Sequence, residues 1–401
     1  MISNSGRFFV NPSEPPRTAL VVLEFRDSLE RLVTNKPPVH TCSTGWKFCG
    51  FYSGPTSIAY MFYRLSQILP NMEFKQQSLY DWAEAYLALG ARQEKSPPTP
   101  NNCGIANETL AHTALTAVML QETHLVNQIC AFEPAINAEG EDGDQGSNEW
   151  LYGRAGYLYI LRLCRTFTEK QHPTTYRATA LVNNTIEKTV NRILASPQPW
   201  TWHGKQYLGA AHGTTGIICQ LVLSQPSVAS KVQPILNRLL DAQHASGSFP
   251  SSTGSSNPDR LVQFCHGSPG FALSFARLAY LWPDLEGRIR DALRKAKEDT
   301  WRRGLLTKPP CLCHGIAGNA LAFDTGGGGD LEERNRDEAR FKHFSAFMST
   351  PEMERVGWLR EMGSSNEFVG LYTGEAGRAW VWGRALHPSP DCGPCIGYND
   401  I

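Results

Sequence analysis

Apolar and polar positions along this chain follow a pattern of paired helices. Seven short glycine turns recur, and each precedes a segment that is apolar on nearly all sides, such as residues 157–164 and 271–279. Between the turns lie amphipathic stretches with charged faces, such as residues 185–196 and 285–302. Segments that are apolar all round predict buried helices, and amphipathic segments predict helices on the outside. Because strand-like alternation is sparse, the pattern predicts an all-α fold.

The turns recur at a nearly constant interval, which indicates a repeat architecture. The first glycine of each turn stands at positions 54, 104, 153, 213, 267, 315 and 374, and five turns carry a second glycine three residues later. Ser57 and Asn107 hold that second position in the first two turns. Seven αα-hairpins can form an open solenoid or close into a ring. We predict a closed α/α toroid of about seven inner and seven outer helices, because the inner segments are apolar on all sides and neither end shows a polar capping repeat.

The repeat also predicts the domain organisation and a functional rim. We expect one domain over residues 1–401, with residues 1–45 as an N-terminal extension and first outer helix, and residues 386–401 as an irregular tail. All seven turns would lie on one rim, where the first glycines permit positive φ and the helix N-termini present free N–H groups. The partial positive charge of those termini favours anions or developing negative charge.

Composition narrows the classes of function. The 401 residues include 38 basic and 38 acidic side chains, and this formal net charge of +0 leaves no basic footprint for nucleic acid. The start lacks the features of a signal peptide, and no window approaches 18 consecutive apolar residues, so no transmembrane segment is expected. An odd count of 11 cysteines suits a reducing compartment. We therefore expect a cytoplasmic protein, with peripheral contact with the plasma membrane as an option.

Two of the turns carry the same Cys-His-Gly tripeptide. These are Cys265-His266-Gly267 and Cys313-His314-Gly315, and a third turn carries His212-Gly213. Because equivalent turns of a ring face one another, Cys265, Cys313 and one histidine could hold zinc and leave its fourth position open. Cys311 is a competing ligand, and the alternative is that these cysteines are only packed thiols. Cys392 and Cys395 have the spacing of a redox motif without a βαβ context to support it.

Six strings carry a resemblance to a known family. They are residues 52–57 (YSGPTS), 151–159 (LYGRAGYLY), 202–205 (WHGK), 210–213 (AAHG), 264–270 (FCHGSPG) and 312–320 (LCHGIAGNA). In this order they resemble the lanthionine synthetase C-like family, eukaryotic branch. The resemblance implies an α/α toroid, with zinc (Zn²⁺) held by Cys265, Cys313 and His314. It also implies addition of a thiol, glutathione in the eukaryotic branch, to a dehydroalanine or dehydrobutyrine residue of a peptide or protein, which forms a thioether.

The resemblance and the chemistry together suggest a role for the neighbouring side chains. His212 is the candidate acid/base, since its intrinsic pKa suits proton transfer near neutrality. His266 could donate to the enolate or orient a ligand, and Glu149 could orient His212. Lys308 matches a family lysine that contacts glutathione. Arg260 resembles an arginine that stabilises the enolate.

Other functions are compatible with an α/α barrel. A protein prenyltransferase subunit also activates a thiol with zinc, but it should place an aspartate beside the cysteine ligand. A glycoside hydrolase needs two opposed carboxylates, whereas this rim carries Cys and His. A non-catalytic zinc- and glutathione-binding adaptor or signalling protein is the alternative that the sequence leaves open.

Overall fold

The structure is a computed structural model, and its description covers most of the chain. The described residues are 2–3, 5–12, 19–39, 45–91, 96–139, 145–171, 174–257, 259–326, 330–363, 367–388 and 393–401. They form seventeen α-helices, which are α1 (Val21–Asn35), α2 (Pro55–Ile68), α3 (Leu79–Ala91), α4 (Glu108–Met119), α5 (Thr123–Ala131), α6 (Glu133–Asn137), α7 (Arg154–Lys170), α8 (Tyr176–Ala195), α9 (Thr214–Ser224), α10 (Ala229–Asp241), α11 (Ser268–Phe275), α12 (Glu286–Arg303), α13 (Ile316–Leu321), α14 (Leu331–Ala346), α15 (Thr350–Arg355), α16 (Trp358–Gly363) and α17 (Glu375–Leu386). Two short strands, β1 (Glu73–Phe74) and β2 (Gln77–Ser78), pair antiparallel.

The helices that follow the turns make a closed inner ring. Helices α2, α4, α7, α9, α11, α13 and α17 contact one another in this order, and α17 contacts α2. These helices are buried on most sides, and every residue of 154–164 in α7 is buried. Burial all round is the physical counterpart of the apolar segments in the sequence. The predicted all-α toroid is confirmed.

Each inner helix packs against one outer helix. The pairs are α2 with α3, α4 with α5, α7 with α8, α9 with α10, α11 with α12, α13 with α14, and α17 with α1. In α12 the buried positions include Ile289, Ala292, Leu293 and Ala296, so a single stripe faces the ring. The last pair joins the two ends of the described fold, because the N-terminal helix α1 covers the final inner helix α17.

Backbone hydrogen bonds between neighbouring turns close the rim. Each turn donates an N–H to a carbonyl of another turn, in the series Phe51 to Ile105 (2.8 Å), Ile105 to Trp150 (3.4 Å), Trp150 to Ala211 (3.1 Å), Ala211 to Cys265 (3.5 Å), Cys265 to Cys313 (3.1 Å), Cys313 to Tyr372 (3.0 Å) and Tyr372 to Tyr52 (3.0 Å). The buried polar groups of these turns are thereby paired, as burial requires. The series returns to its starting turn, which sets the seven turns side by side on one rim.

The second turn differs in register from the sequence prediction. The six other inner helices have their first glycine at the N-cap, but α4 is capped by Asn107, three residues after Gly104. The Asn107 side chain accepts a hydrogen bond from the Leu110 N–H at 2.9 Å, an arrangement that asparagine favours at N-caps. Asn107 therefore occupies the position of a first glycine, and Ile105 is the residue that joins the backbone series.

The turn glycines are needed more for close approach of the backbone to neighbouring carbonyl groups than for positive φ. Only Gly54 (φ 91°) and Gly267 (φ 107°) of the seven first glycines use the left-handed region that glycine permits. The second glycines have a common reason. A Cβ at any of these five positions would lie 1.9–2.2 Å from the carbonyl oxygen six residues earlier. They are Gly156, Gly216, Gly270, Gly318 and Gly377.

The end of the chain fills the centre of the ring. Residues 393–401 contain no helix, and Ile396, Tyr398 and Asp400 are buried. Asp400 accepts hydrogen bonds from the hydroxyls of Tyr159 (2.8 Å) in α7 and Tyr60 (3.2 Å) in α2. Cys395 is a buried free thiol beside Tyr372, while its proposed redox partner Cys392 lies outside the described residues. We name residues 393–401 the central segment.

Among the described helices, none combines the length and the apolar character needed to cross a bilayer.

Candidate active site

Two predicted thiols meet on the rim. Cys265 and Cys313 stand two residues before the glycine N-caps of α11 and α13. The Cys265 N–H donates to the Cys313 carbonyl at 3.1 Å, and the two side chains are buried and within hydrogen-bonding contact. The repeat therefore brings together two cysteines that are 48 residues apart in the sequence.

Contact between the two thiols shifts their pKa values in opposite directions. The Cys265 thiol holds the pKa of Cys313 well below its usual range, and the same contact together with burial raises the pKa of Cys265. His314 contacts Cys311 and Cys313. These two thiols, Cys311 more than Cys313, raise the pKa of His314 to about 10. In this cluster, protons are therefore held on Cys265 and His314 in preference to Cys313.

Two further side chains contact the sulphurs. The Gln263 amide Nε2 donates to Cys265 Sγ at 3.1 Å. The Tyr52 hydroxyl contacts Cys313, and its ring stacks on Tyr372 with centroids 5.7 Å apart and planes 7° apart. Each thiol thus has a polar neighbour outside the set of predicted ligands.

The cluster has the donor types of a zinc site. Cys313 contacts both Cys265 and His314, and two sulphurs and an imidazole are ligands that zinc prefers. Within the part of the chain that the structure describes, no three His, Cys, Asp or Glu side chains are arranged as a complete ligand set. The assignment of zinc to Cys265, Cys313 and His314 therefore stays a prediction, with Cys311 in contact with His314 as the competing ligand.

His212 and Glu149 form a hydrogen-bonded dyad. His212 Nδ1 lies 2.9 Å from Glu149 Oε2, and the Glu149 side chain is only 1% exposed. The same carboxylate accepts the backbone N–H groups of Leu151 (2.8 Å) and Tyr152. Because Glu149 is fixed by its own turn, it fixes the His212 ring and leaves Nε2 for the rim.

An aromatic hairpin supports the His212 ring. Trp202 and Lys205 exchange two backbone hydrogen bonds around His203 (φ 47°) and Gly204 (φ 70°). Two positive φ values in succession define the tight turn typical of a β-hairpin. The turn places the Trp202 ring flat on His212, with centroids 4.1 Å apart and planes 4° apart.

His266 lies between the dyad and the thiols. Its ring centroid is 6.1 Å from that of His212, and its titration responds to both His212 and Cys313. Burial, followed by His212, lowers the pKa of His266 to about 4, so the ring is neutral at pH 7. Its Nδ1 is buried and has no hydrogen-bond partner among the described residues. A buried nitrogen without a partner can still donate or accept a hydrogen bond.

The predicted cationic residues lie at the edge of the rim. Lys308 is exposed in the loop before Cys313, and among the described residues no hydrogen bond or ion pair joins it to the thiol cluster. The adjacent Thr307 N–H donates to the Arg7 carbonyl at 3.0 Å. Arg7 shares a surface cavity with Arg260, and burial followed by Arg260 lowers the pKa of Arg7. The N-terminal segment therefore adds a cation beside the two that the sequence suggested.

Several of the contacting residues could not be assigned a role from the sequence. Trp202, Gln263 and Tyr52 lie in or beside the motifs, yet their contacts depend on a hairpin turn and on neighbouring repeats. The only sequence signal is position, since Tyr52 precedes the first glycine by two residues, as Cys265 and Cys313 precede theirs.

Comparison with known proteins agrees with this fold. Residues 45–394 match the family described as lanthionine synthetase C-like protein. The zebrafish (Danio rerio) protein named glutathione S-transferase LANCL1 is 31% identical over 291 residues, which cover 69% of each chain. The Arabidopsis thaliana LanC-like protein GCL1 is 31% identical over 279 residues, which cover 64% of this chain and 60% of the Arabidopsis protein. The chain therefore belongs to the lanthionine synthetase C-like family, in the eukaryotic branch that its motifs predict.

Proposed function

We propose that this protein is a zinc-dependent enzyme that adds a thiol, glutathione, to dehydroalanine or dehydrobutyrine residues of peptides or proteins. The observation that carries the proposal is the shared rim, where the His212–Glu149 dyad and the Cys265–Cys313–His314 cluster flank His266. The name of the zebrafish relative, a glutathione S-transferase, supports the choice of thiol.

Each of these side chains has a separate role in the proposed reaction. Zinc held by Cys265, Cys313 and His314 would lower the pKa of a bound thiol and keep its sulphur as thiolate at neutral pH. His212 Nε2 takes the thiol proton while Glu149 holds Nδ1. The sulphur forms a bond to the β-carbon of the acceptor, and the π electrons move onto the α-carbon and its carbonyl.

Proton return completes the addition. The resulting enolate oxygen needs a donor, and the unpaired His266 ring lies between the dyad and the thiols. His212 then returns its proton to the α-carbon, so the product is a thioether and no other reactant is consumed. The Trp202 ring, stacked on His212, keeps the imidazole in one plane during both transfers.

The cationic edge supports an anionic thiol. Glutathione carries two carboxylates. Arg260 and Lys308 lie on the loops that lead to the thiol turns, and Arg7 lies beside these loops on the N-terminal segment. Arginine pairs well with carboxylates. A neutral thiol without carboxylates would gain nothing from these groups.

The test combines metal analysis with mass spectrometry. Purified protein is incubated with glutathione and a dehydroalanine peptide, and we expect one zinc per chain and a mass gain of one glutathione. Cys313→Ala should lose both zinc and activity. His212→Asn should keep zinc and lose activity by about 10²-fold or more. Cys164→Ala, which removes a buried thiol of α7 outside the cluster, is the matched control and should keep both.

The other outcomes separate the alternatives. Zinc and glutathione binding without a thioether, across several thiols, would favour the non-catalytic adaptor. If the purified protein binds no zinc even after reconstitution with zinc, the proposed metal site is wrong.

A further inference from the structure

Two neutral side chains form hydrogen bonds with the cysteine sulphurs of the rim. The Gln263 amide Nε2 donates to Cys265 Sγ at 3.1 Å. The Tyr52 hydroxyl forms a hydrogen bond with Cys313, in which the phenol is the donor whenever the sulphur is a thiolate without a proton. Amides and phenols are donors that add no net charge. Each of the two cysteines predicted to bind zinc therefore has a neutral donor at its sulphur.

Gln263 belongs to the same short turn as the sulphur that it contacts. Gln263 and His266 exchange two backbone hydrogen bonds, at 3.0 and 3.1 Å, and Cys265 lies between them in the chain. Gln263 itself is buried. The adjacent Val262 carbonyl accepts a hydrogen bond from Asn319 Nδ2 of α13 at 2.9 Å. These bonds fix the backbone of the donor relative to the backbone of its acceptor.

Tyr52 reaches Cys313 across the place where the ring closes. The Cys313 N–H donates to the Tyr372 carbonyl, and the Tyr372 N–H donates to the Tyr52 carbonyl, both at 3.0 Å. The Tyr52 ring lies flat on the Tyr372 ring, with centroids 5.7 Å apart. Tyr372 is buried, and its hydroxyl donates to the Ile396 carbonyl of the central segment at 2.6 Å. The ring that carries the Tyr52 hydroxyl is therefore supported by a side chain anchored in the centre of the ring of helices.

The charge expected at the metal site explains how such donors would act. Two thiolates and one neutral imidazole would balance the charge of Zn²⁺, and a bound substrate thiolate would then make the complex an anion. Cys265 and Cys313 are buried, and a buried anion is costly unless hydrogen bonds satisfy it. Hydrogen bonds to an ionised acceptor are stronger than those between neutral groups. Donors at the ligand sulphurs would therefore stabilise the loaded site.

We infer that Gln263 and Tyr52 are positioning residues of the metal site, which hold the ligand sulphurs through N–H···S and O–H···S hydrogen bonds and stabilise their negative charge. The inference deepens the proposed function and rests on it for the ligands Cys265 and Cys313. Its consequence is that the affinity for zinc depends on two residues that are not themselves ligands.

The test replaces each donor by an apolar group that cannot bind metal. Tyr52→Phe keeps the ring that stacks on Tyr372 and removes only the hydroxyl. Gln263→Leu removes the amide, and Gln263→Met takes its place if the leucine variant does not fold. Each variant is loaded with Co²⁺ as a spectroscopic substitute for zinc. The sulphur-to-cobalt charge-transfer bands report on the ligand sulphurs, and the d–d bands report on the coordination geometry.

Two control variants make the same changes away from the thiols. Tyr63→Phe removes a hydroxyl that accepts a hydrogen bond from Gln67 Nε2 at 2.8 Å within α2. Gln243→Leu removes an amide that donates to the Gly247 and Ala292 carbonyls, both at 2.9 Å. These controls measure the effect of losing a hydrogen-bonded hydroxyl or amide elsewhere in the fold.

Loss of either donor should change the sulphurs more than the geometry. We expect the charge-transfer bands of Tyr52→Phe and Gln263→Leu to move to longer wavelength, because a sulphur without the donor holds its electrons less tightly. The d–d bands should stay as in the wild type. Competition with a chelator should show zinc binding weakened about tenfold or more in each variant. Both controls should match the wild type in spectrum and in zinc affinity.

The remaining outcomes count against one claim or the other. Charge-transfer bands and zinc affinity that match the wild type would overturn the role of the residue that was replaced, and each residue is decided by its own variant. Altered d–d bands in Tyr52→Phe or Gln263→Leu would show that the side chain shapes the site instead of stabilising the sulphur, which also overturns the inference. A wild-type protein that binds neither cobalt nor zinc would instead refute the metal site of the proposed function. Neither readout requires turnover.

Discussion

At the scale of single residues, Glu149 links the architecture of a turn to the chemistry of its neighbour. Its carboxylate accepts two backbone N–H groups of its own turn and also contacts His212 Nδ1 from the next turn. A carboxylate satisfied on several sides has little freedom to move. The imidazole orientation is therefore as fixed as the turn itself.

Glu149→Gln should reduce activity more than stability. The amide keeps the size and one acceptor oxygen, but an NH₂ facing His212 Nδ1 donates a hydrogen bond where the carboxylate accepts one, and so favours the wrong tautomer. We expect kcat/KM for thioether formation to fall about 10²-fold, with zinc content unchanged and a modest drop in Tm. Stopped-time mass spectrometry and thermal unfolding measure the two effects.

The double variant Glu149→Gln/His212→Asn distinguishes positioning from a general structural defect. If Glu149 acts through His212, the second substitution adds little to the first. Fully additive losses would show that Glu149 does not act through the His212 ring.

At the scale of elements, the start of each inner helix is limited by space. The second glycines leave no room for a side chain, because the carbonyl six residues earlier lies against them. This contact joins the turn to the first helical residues, and so sets the angle at which an inner helix leaves the rim.

Gly216→Ala should therefore be strongly destabilising. Its Cβ would lie 2.0 Å from the Ala210 carbonyl oxygen, so the turn must shift. We expect a loss of about 2 kcal/mol or more in the free energy of unfolding, measured by denaturant titration. Gly287→Ala in the outer helix α12 is the control, since a Cβ there meets nothing within 4 Å. It should stabilise by about 0.5–1 kcal/mol, and similar losses in both variants would contradict the explanation.

At the scale of the whole molecule, the ring has a polar centre as well as an apolar wall. The central segment receives Arg162 from α7, whose guanidinium donates to the carbonyls of Tyr398 (3.1 Å) and Ile401 (2.9 Å). Trp150, in the turn before α7, donates to the Gly397 carbonyl at 3.1 Å. The segment thus bonds to more than one inner helix, because Asn399 Nδ2 also donates to the Leu273 carbonyl of α11 at 2.8 Å.

Asp400→Ala should weaken the whole ring. Asp400 is paired with Arg64 at 3.2 Å and with the hydroxyls of Tyr60 and Tyr159. Removing the carboxylate leaves these buried groups without a shared acceptor, which costs about 3 kcal/mol or more. Chemical denaturation should show this loss in one cooperative transition. Asp400→Asn, which keeps an acceptor oxygen, should lose less, and equal stability of Asp400→Ala and wild type would show that the centre contributes nothing.

The sequence could predict what depends on the repeat. Cys265 meets Cys313, and His212 lies on the same rim, because these residues stand at fixed offsets from repeated glycines. In the second turn, the sequence predicts Gly104 as the first residue before the inner helix, but the N-cap is Asn107, three residues later. The stacking of Trp202 and the burial of the central segment depend on tertiary packing, to which no local period points.

The contact between α1 and α17 can form only after most of the ring has been synthesised. Residues 21–35 leave the ribosome long before residues 375–386, yet these two helices cover each other in the ring. The turn of Cys313 likewise receives its carbonyl partner, Tyr372, only after a further 59 residues have been synthesised. Contacts so distant in sequence form slowly. Until the last inner helix arrives, a nascent chain carries up to six apolar inner helices without a closed wall, and that interval is when it most needs chaperones.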